Sequence, residues 1–178
     1  MSHRLFIAIR PPAVVRDALI DMMEALDGAR WQDDDQLHLT LRFVGEVERA
    51  VATDLAAALE TISMPPFGLE LTGVSHFQRK GSPTALWAGV ASSVELQRLR
   101  AKIERACSLV GVGDEIRRFT PHVTIARLTR STGPIAGWLT RHAELRTRWQ
   151  IDGFSLFESH LFPSGAHHEV AAYYPLNP

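Results

Sequence analysis

The chain has 178 residues, of which 46% are hydrophobic and 22% are charged, and its formal net charge at pH 7 is -1. This composition is typical of a soluble globular protein and excludes a disordered chain or a fibrous repeat. The balanced charge argues against a long nucleic-acid footprint but leaves room for a short basic pocket. A single cysteine, Cys107, allows neither an intramolecular disulfide nor a cysteine-based zinc cluster, so we expect a reducing compartment.

No segment of the sequence predicts export or membrane insertion. The first apolar run, Leu5–Ile9, is shorter than a secretory signal and is followed by Arg10 and two prolines. The longest uncharged run, residues 81–94, contains Gly, Pro and Ser and falls below the roughly 18 apolar residues that a membrane span needs. We therefore expect a cytoplasmic protein without membrane association. No feature implies a protein partner, so we expect a monomer.

Hydrophobic spacing in the first half predicts the order strand, helix, strand, helix, strand. The predicted strands are Leu5–Ile9, Leu37–Val44 and Phe67–Val74. The first helix is indicated by apolar residues at helical spacing, with Gly28 as its end: Val15, Leu19, Met22, Met23 and Leu26. The second helix has one apolar face and ends before two prolines: Val51, Leu55, Leu59 and Ile62.

The second half repeats this order. A capping box at Ser92 and Glu95 opens a helix whose apolar residues step by three and four until Gly111: Leu96, Leu99, Ile103, Ala106 and Val110. A shorter helical pattern follows Gly133 and Pro134 and covers residues 135–142. The predicted strands of this half are Ala85–Val90, His122–Leu128, Trp149–Leu156 and Glu169–Tyr174.

The repeated order indicates an internal duplication. We expect an α+β fold with pseudo-repeats at about residues 3–74 and 84–158, joined into one domain over residues 1–178 because no linker separates them. Two such half-units form two lobes, in which mostly antiparallel sheets line a central groove and the helices lie outside. A groove between two lobes is where ligand sites tend to form.

The same four-residue pattern occurs once in each half, as His38-Leu39-Thr40-Leu41 and as His122-Val123-Thr124-Ile125. Residues two apart in a strand point to the same face, so each strand presents one imidazole and one hydroxyl while its aliphatic residues pack on a core. Two copies of such a pattern arise by chance in roughly one comparable chain in a thousand. The pair therefore indicates a site rather than two solvated strand faces.

These motifs and their neighbours resemble the two-histidine phosphoesterases. The resemblance rests on Arg30-Trp31, on residues 37–46 and 118–127, and on residues 157–161 with the turn at Gly165, and it covers nearly the whole chain. More narrowly, the chain resembles the RNA 2′,3′-cyclic phosphodiesterases, which are also called LigT proteins or 2′-5′ RNA ligases. The resemblance implies an enzyme that acts on RNA 3′ ends or small cyclic nucleotides and needs no cofactor.

The resemblance also implies residue roles. It makes His38 and His122 the catalytic pair, Thr40 and Thr124 phosphate-binding hydroxyls, and Arg127 a further phosphate ligand. It matches Phe43 to an aromatic that faces the base or the ribose. Strict alternation places Phe43 with the core residues unless a bulge intervenes, so core packing is the competing interpretation. His167 and His168 stand where the family pattern leads us to expect a tyrosine, and their role stays open.

The residues suit the hydrolysis of a cyclic phosphodiester without a metal. One neutral and one protonated imidazole can remove a proton from water and protonate the departing ribose oxygen. We predict His38 as the general acid and His122 as the general base, yielding a 2′-phosphate. Arg127 and the two threonine hydroxyls would hold the nonbridging oxygens, where charge gathers in the transition state.

Three other functions remain possible from the sequence. The first is reversible 2′-5′ RNA ligation in the same site. A binding module for nucleotides or RNA ends is a second alternative, although binding alone does not need two proton carriers. A metal hydrolase with histidine ligands is the third, and it lacks carboxylate ligands near either strand. The acidic run at Asp33, Asp34 and Asp35 is typical of a solvated turn rather than of a cation site.

Overall fold

The computed structural model describes residues 2–178, which contain nine strands, four α-helices and a short 3-10 helix at Asp34–Gln36. The strands are β1 (Ser2–Ile9), β2 (Arg30–Trp31), β3 (Leu39–Glu48), β4 (Phe67–Arg79), β5 (Ser82–Val90), β6 (His122–Arg127), β7 (Arg146–Ile151), β8 (Gly153–Phe162) and β9 (Gly165–Pro175). The helices are α1 (Ala13–Ile20), α2 (Arg49–Glu60), α3 (Val94–Leu109) and α4 (Ala136–Arg141). The expected α+β fold is confirmed.

Several strand ends differ from the prediction by up to five residues, and the short strand β2 was not predicted. Three further local predictions also differ from the structure. Helix α1 ends at Ile20 rather than near Gly28, because the chain turns and Ala25 adopts a positive φ of 50°. Helix α3 is capped by Ser93 rather than Ser92, since the Ser93 hydroxyl accepts a hydrogen bond from the amide of Leu96 at 3.1 Å. The strand predicted as Trp149–Leu156 is two strands, β7 and β8, which are separated at Asp152.

All nine strands of the described chain belong to one sheet. Its order is β7-β4-β5-β6-β3-β1-β8-β9, with β2 added beside β6, and every pairing is antiparallel. The two halves, β7-β4-β5-β6 and β3-β1-β8-β9, meet where Leu39 of β3 pairs with Val123 of β6. Strand β4 lies with the strands of the second predicted repeat, and β8 lies with those of the first. The halves of the sheet therefore draw strands from both ends of the chain.

The helices cover one face of this sheet and leave the other face for the groove. Helix α3 directs its apolar side at the sheet, where Leu99 and Ile103 are fully buried, and it contacts both α2 and β3. Leu39 and Val123 belong to the same core and are 0% exposed. A separate small cluster of Phe6, Ala8 and Phe157 does not belong to this core. The central seam of the sheet, where β3 pairs with β6, thus packs against the core on one face only.

Candidate active site

The two His-x-Thr motifs lie side by side at the centre of the sheet. Because Leu39 and Val123 pair with each other and both point into the core, alternation directs His38, Thr40, His122 and Thr124 to the opposite face. In an antiparallel pair this register sets each histidine beside the threonine of the other strand. All four side chains are partly buried. The structure therefore brings the predicted imidazoles and hydroxyls together around one seam.

A bulge in each central strand returns the fifth residue after the histidine to the groove face. Against β1, Ile7 pairs with Arg42 and Ala8 pairs with Thr40, so Leu41 is the extra residue of β3. Leu41 and Arg42 are consequently both buried, and Phe43 emerges with 53% of its surface exposed. Phe43 thus lies outside the core, because β3 contains the bulge that this position requires.

Strand β6 contains the matching irregularity. Its partner β5 pairs Leu86 with Ala126 and Trp87 with Thr124, which leaves Ile125 as the extra residue. Ile125 and Ala126 are both 0% exposed, and Arg127 follows as an exposed residue. Besides burial, which is the largest cause, the charge of Arg127 lowers the pKa of both imidazoles, because a neighbouring cation disfavours their protonation. The guanidinium of Arg127 therefore faces the same site as the two rings.

Backbone carbonyls orient both imidazoles in the same way. The Nδ1 atom of His122 lies 2.6 Å from the carbonyl oxygen of Thr120, two residues earlier. The ring of His38 donates a hydrogen bond to the backbone of Gln36, also two residues earlier. Donation from Nδ1 to the carbonyl leaves Nε2 of His122 as the nitrogen that can accept a proton. The two histidines thus share one local geometry.

Burial and neighbouring cations keep both imidazoles neutral. Burial is the main cause that lowers the pKa of His38 to about 3, and the positive charges of His168, His122 and Arg127 add to it. Burial also lowers the pKa of His122, with a smaller contribution from Arg127. Near pH 7 the ligand-free site therefore holds two uncharged rings beside a cationic guanidinium. An anion bound among them would favour the protonated forms.

Each of the two imidazoles lies against a set of aromatic rings. Ring centroids near His38 lie at 4.9 Å for Phe6, 5.4 Å for His168 and 6.1 Å for Phe157. Near His122 they lie at 4.8 Å for Phe77 and 5.7 Å for Trp87. Hydrophobic spacing does not reveal this set, because Phe6 lies within a continuous apolar run and Phe157 and His168 lie in strands near the far end of the chain.

The paired histidines of β9 and the acidic run lie at the edge of the site. His167 and His168 point to opposite faces of β9, and the outer His167 lies 3.7 Å from a carboxylate oxygen of Asp35. Asp34 binds Arg10 and Arg16, each at 2.8 Å, so the acidic run belongs to a turn that is held by arginines. Among residues 2–178 there is no group of three or more potential metal ligands. In the same residues no helix is both long and apolar enough to cross a membrane.

Comparisons with solved structures identify the fold. The crystal structure of TT0787 of Thermus thermophilus matches with a TM-score of 0.83 at 27% identity over 97% of both chains. Escherichia coli LigT complexed with 3′-AMP matches with a TM-score of 0.79 at 24% identity over 100% of both chains, which shows a shared fold. The fold is therefore that of the LigT-like proteins.

The sequence comparisons are more specific. The RNA 2′,3′-cyclic phosphodiesterase of Thermotoga maritima is 29% identical over 173 residues, which cover 94% of this chain and 92% of that protein. A family profile described as the 2′-5′ RNA ligase superfamily matches residues 11–161. The chain belongs to the 2′-5′ RNA ligase superfamily, and the resemblance inferred from the motifs is confirmed.

Proposed function

We propose that the protein is a metal-independent RNA 2′,3′-cyclic phosphodiesterase that opens cyclic phosphate ends to 2′-phosphates, with residues 1–178 acting as one domain. The observation that carries this proposal is the pairing of Leu39 with Val123, which sets two His-x-Thr motifs around one seam of the groove face. The name of the Thermotoga relative and the complex of LigT with 3′-AMP support an RNA end or a small cyclic nucleotide as the substrate.

In the proposed reaction water attacks phosphorus while His122 removes a proton from that water. The bond from phosphorus to the 3′ oxygen breaks, and His38 delivers a proton to that oxygen. The phosphate stays on the 2′ oxygen. Thr40, Thr124 and Arg127 bind the nonbridging oxygens, and each imidazole contributes a typical factor of about 10² to 10⁴ to the rate. Phe43 lies against the base or the ribose.

The protonation states set one condition for this mechanism. His38 is neutral in the ligand-free site. The bound anionic phosphodiester therefore has to raise the pKa of His38 before this imidazole can act as the acid. The assignment of His38 as acid and His122 as base therefore stays a prediction. A coupled pair of this kind gives a bell-shaped pH profile whose two apparent constants belong to both rings.

A product assay tests the reaction class. Wild-type protein is incubated with 2′,3′-cyclic and 3′,5′-cyclic nucleotides in excess chelator, beside His38→Ala and His122→Ala. We expect a 2′-phosphate only from the 2′,3′-cyclic substrate, and a loss of at least about 10²-fold in either variant. His160→Ala, at a half-buried site of β8, is the matched control and should keep full activity. Near-normal turnover in both active-site variants would refute the proposal, and nucleotide binding without product would favour a binding module.

A substrate with an activated leaving group separates the acid from the base. A nucleoside p-nitrophenyl phosphodiester releases nitrophenolate, which needs no proton, so loss of the acid is tolerated while loss of the base is not. We expect His38→Ala to recover activity on this substrate relative to His122→Ala. Recovery by His122→Ala instead would reverse the two roles.

The same site supports 2′-5′ RNA ligation as a second candidate, in line with the description of the superfamily. In that reaction the 5′-hydroxyl of a second RNA attacks phosphorus in place of water, His122 removes its proton, and the 3′ oxygen leaves with a proton from His38. Incubating RNA with a 2′,3′-cyclic end together with RNA that has a 5′-hydroxyl end tests this function. A joined RNA whose new linkage resists a nuclease that is specific for 3′-5′ linkages would demonstrate the ligation.

A further inference from the structure

His168 is the third imidazole of the groove, and the mechanism proposed above does not use it. Its ring stands edge-on to His38, with centroids 5.4 Å apart and planes at 87°. It also meets Phe6 edge-on, with centroids 4.9 Å apart. The Nδ1 atom of His168 is buried and has no hydrogen-bond partner among the described residues.

Among the three rings that pack around His38 only His168 can carry a charge. Phe6 and Phe157 stack on each other, with centroids 5.0 Å apart, and enclose His38 with apolar surface. Two positive charges at the separation of His38 and His168 repel each other more strongly in a partly buried site than in bulk water. The geometry of these four rings therefore makes protonation of one imidazole depend on the charge of the other.

We propose that His168 is a positioning residue that shares a single proton with His38, so that at most one of the two imidazoles is charged. This inference rests on the proposed function, in which His38 has to change its protonation state during turnover. On acidification of the ligand-free protein the proton resides on His168, and His38 stays neutral. His168 thereby limits when His38 can become an acid.

The groups that face the pair account for this distribution. The positive charges of His122 and Arg127 in β6 lower the pKa of His38 and so disfavour a proton on it. The carboxylate of Asp35 in the 3-10 helix raises the pKa of His168, whereas its neighbour His167 lowers it. Burial lowers the pKa of both rings and is the largest cause at each. The buried Nδ1 atom of His168, which has no hydrogen-bond partner among the described residues, also disfavours the charged form of His168, because a proton on this atom would be an unpaired buried donor.

The test compares His168→Phe with His167→Phe. The first variant keeps an aromatic edge against His38 and Phe6 but removes the titratable group. The second removes a titratable group on the outer face of the same strand, where it pairs with Asp35 at 3.7 Å. Ring resonances of His38 are followed by NMR from pH 8 to pH 3 in the ligand-free proteins, and kcat/KM is measured over the same range.

We expect His168→Phe to raise the pKa of His38 by about one unit, the shift that a nearby like charge produces in a partly hydrated site. The acidic limb of kcat/KM should move in the same direction, with less than about twofold change above pH 7, where His168 is neutral. His167→Phe should leave both curves in place. An unchanged titration of His38 in His168→Phe would overturn the inference, as would an equal shift in His167→Phe. Because the titration needs no turnover, it remains interpretable even if the proposed activity is absent.

Discussion

Arg42 is a buried cation whose removal should destabilise the protein by several kcal/mol. Its side chain is only 4% exposed, and it lies in the bulge that separates Thr40 from Phe43. Its Nε donates to a carboxylate oxygen of Glu104 in α3 at 3.0 Å. The other guanidinium nitrogens donate to the backbone carbonyls of Phe43 and Gly113. One side chain thus joins β3, α3 and the loop that leads to β6.

The size of the effect follows from the partners that Arg42→Met leaves behind. Methionine fills most of the space of the arginine stem, but the two backbone carbonyls lose their donors. The Glu104 carboxylate keeps only Arg100, at 3.1 Å, and Glu115, 3.8 Å from the Arg42 guanidinium, keeps only the exposed Arg117. Breaking a buried ion pair on one side typically costs about 3–5 kcal/mol. In a chain of this length each kcal/mol lowers Tm by roughly 2–4 °C, so we expect a fall of about 10 °C.

Thermal and urea unfolding of matched variants measure this loss. Arg117 pairs with the same Glu115 at 3.4 Å but is 80% exposed, so Arg117→Met should cost less than about 1 kcal/mol. Adding Glu104→Gln to Arg42→Met removes a carboxylate whose remaining cation is Arg100, at 3.1 Å, and should restore part of the stability. Equal stability of Arg42→Met and Arg117→Met would refute this explanation. It would also be refuted if Arg42→Met with Glu104→Gln were no more stable than Arg42→Met alone.

Two further predictions concern the charges of the site. The free energy of unfolding should fall as the pH drops from 6.5 toward 3, because unfolded His38 binds a proton that folded His38, with a pKa of about 3, excludes. Unfolding free energies from urea titrations at several pH values should depend less steeply on pH in His38→Phe. An identical dependence on pH would contradict the lowered pKa. Arg127→Met should raise KM for a 2′,3′-cyclic nucleotide by roughly 10- to 100-fold and raise the pKa of His122 in NMR titrations. The exposed Arg130→Met is its control, and an equal KM in both variants would exclude Arg127 from the phosphate.

The paired motifs could be predicted from the sequence because strand alternation is local. His38 and Thr40 share a face whenever residues 38–40 are extended, and the aliphatic residue between them identifies the buried side. Alternation alone misplaces Phe43 and Arg127, because one extra residue in each strand reverses it. Their offset from the histidines came from family resemblance, and the bulges provide its physical explanation.

The rest of the site depends on contacts that the order of elements does not contain. Phe157 and His168 reach His38 from strands more than a hundred residues away, through the pairing of β1 with β8 and of β8 with β9. Hydrophobic spacing identifies such strands but does not say which neighbour each one takes. For the same reason the two predicted repeats did not reveal that β4 lies with the strands of the second repeat and β8 with those of the first.

The pairing of β1 with β8 also determines when the groove is completed during synthesis. Strand β1 can pair with β3 as soon as β3 has left the ribosome, but its other edge waits for Gly153–Phe162, more than a hundred residues later. Until then Phe6 lacks the ring of Phe157, and the nascent protein carries an open strand edge, which is the kind of surface that chaperones shield. The aromatic surroundings of His38 are therefore completed only after β8 and β9 have been synthesised.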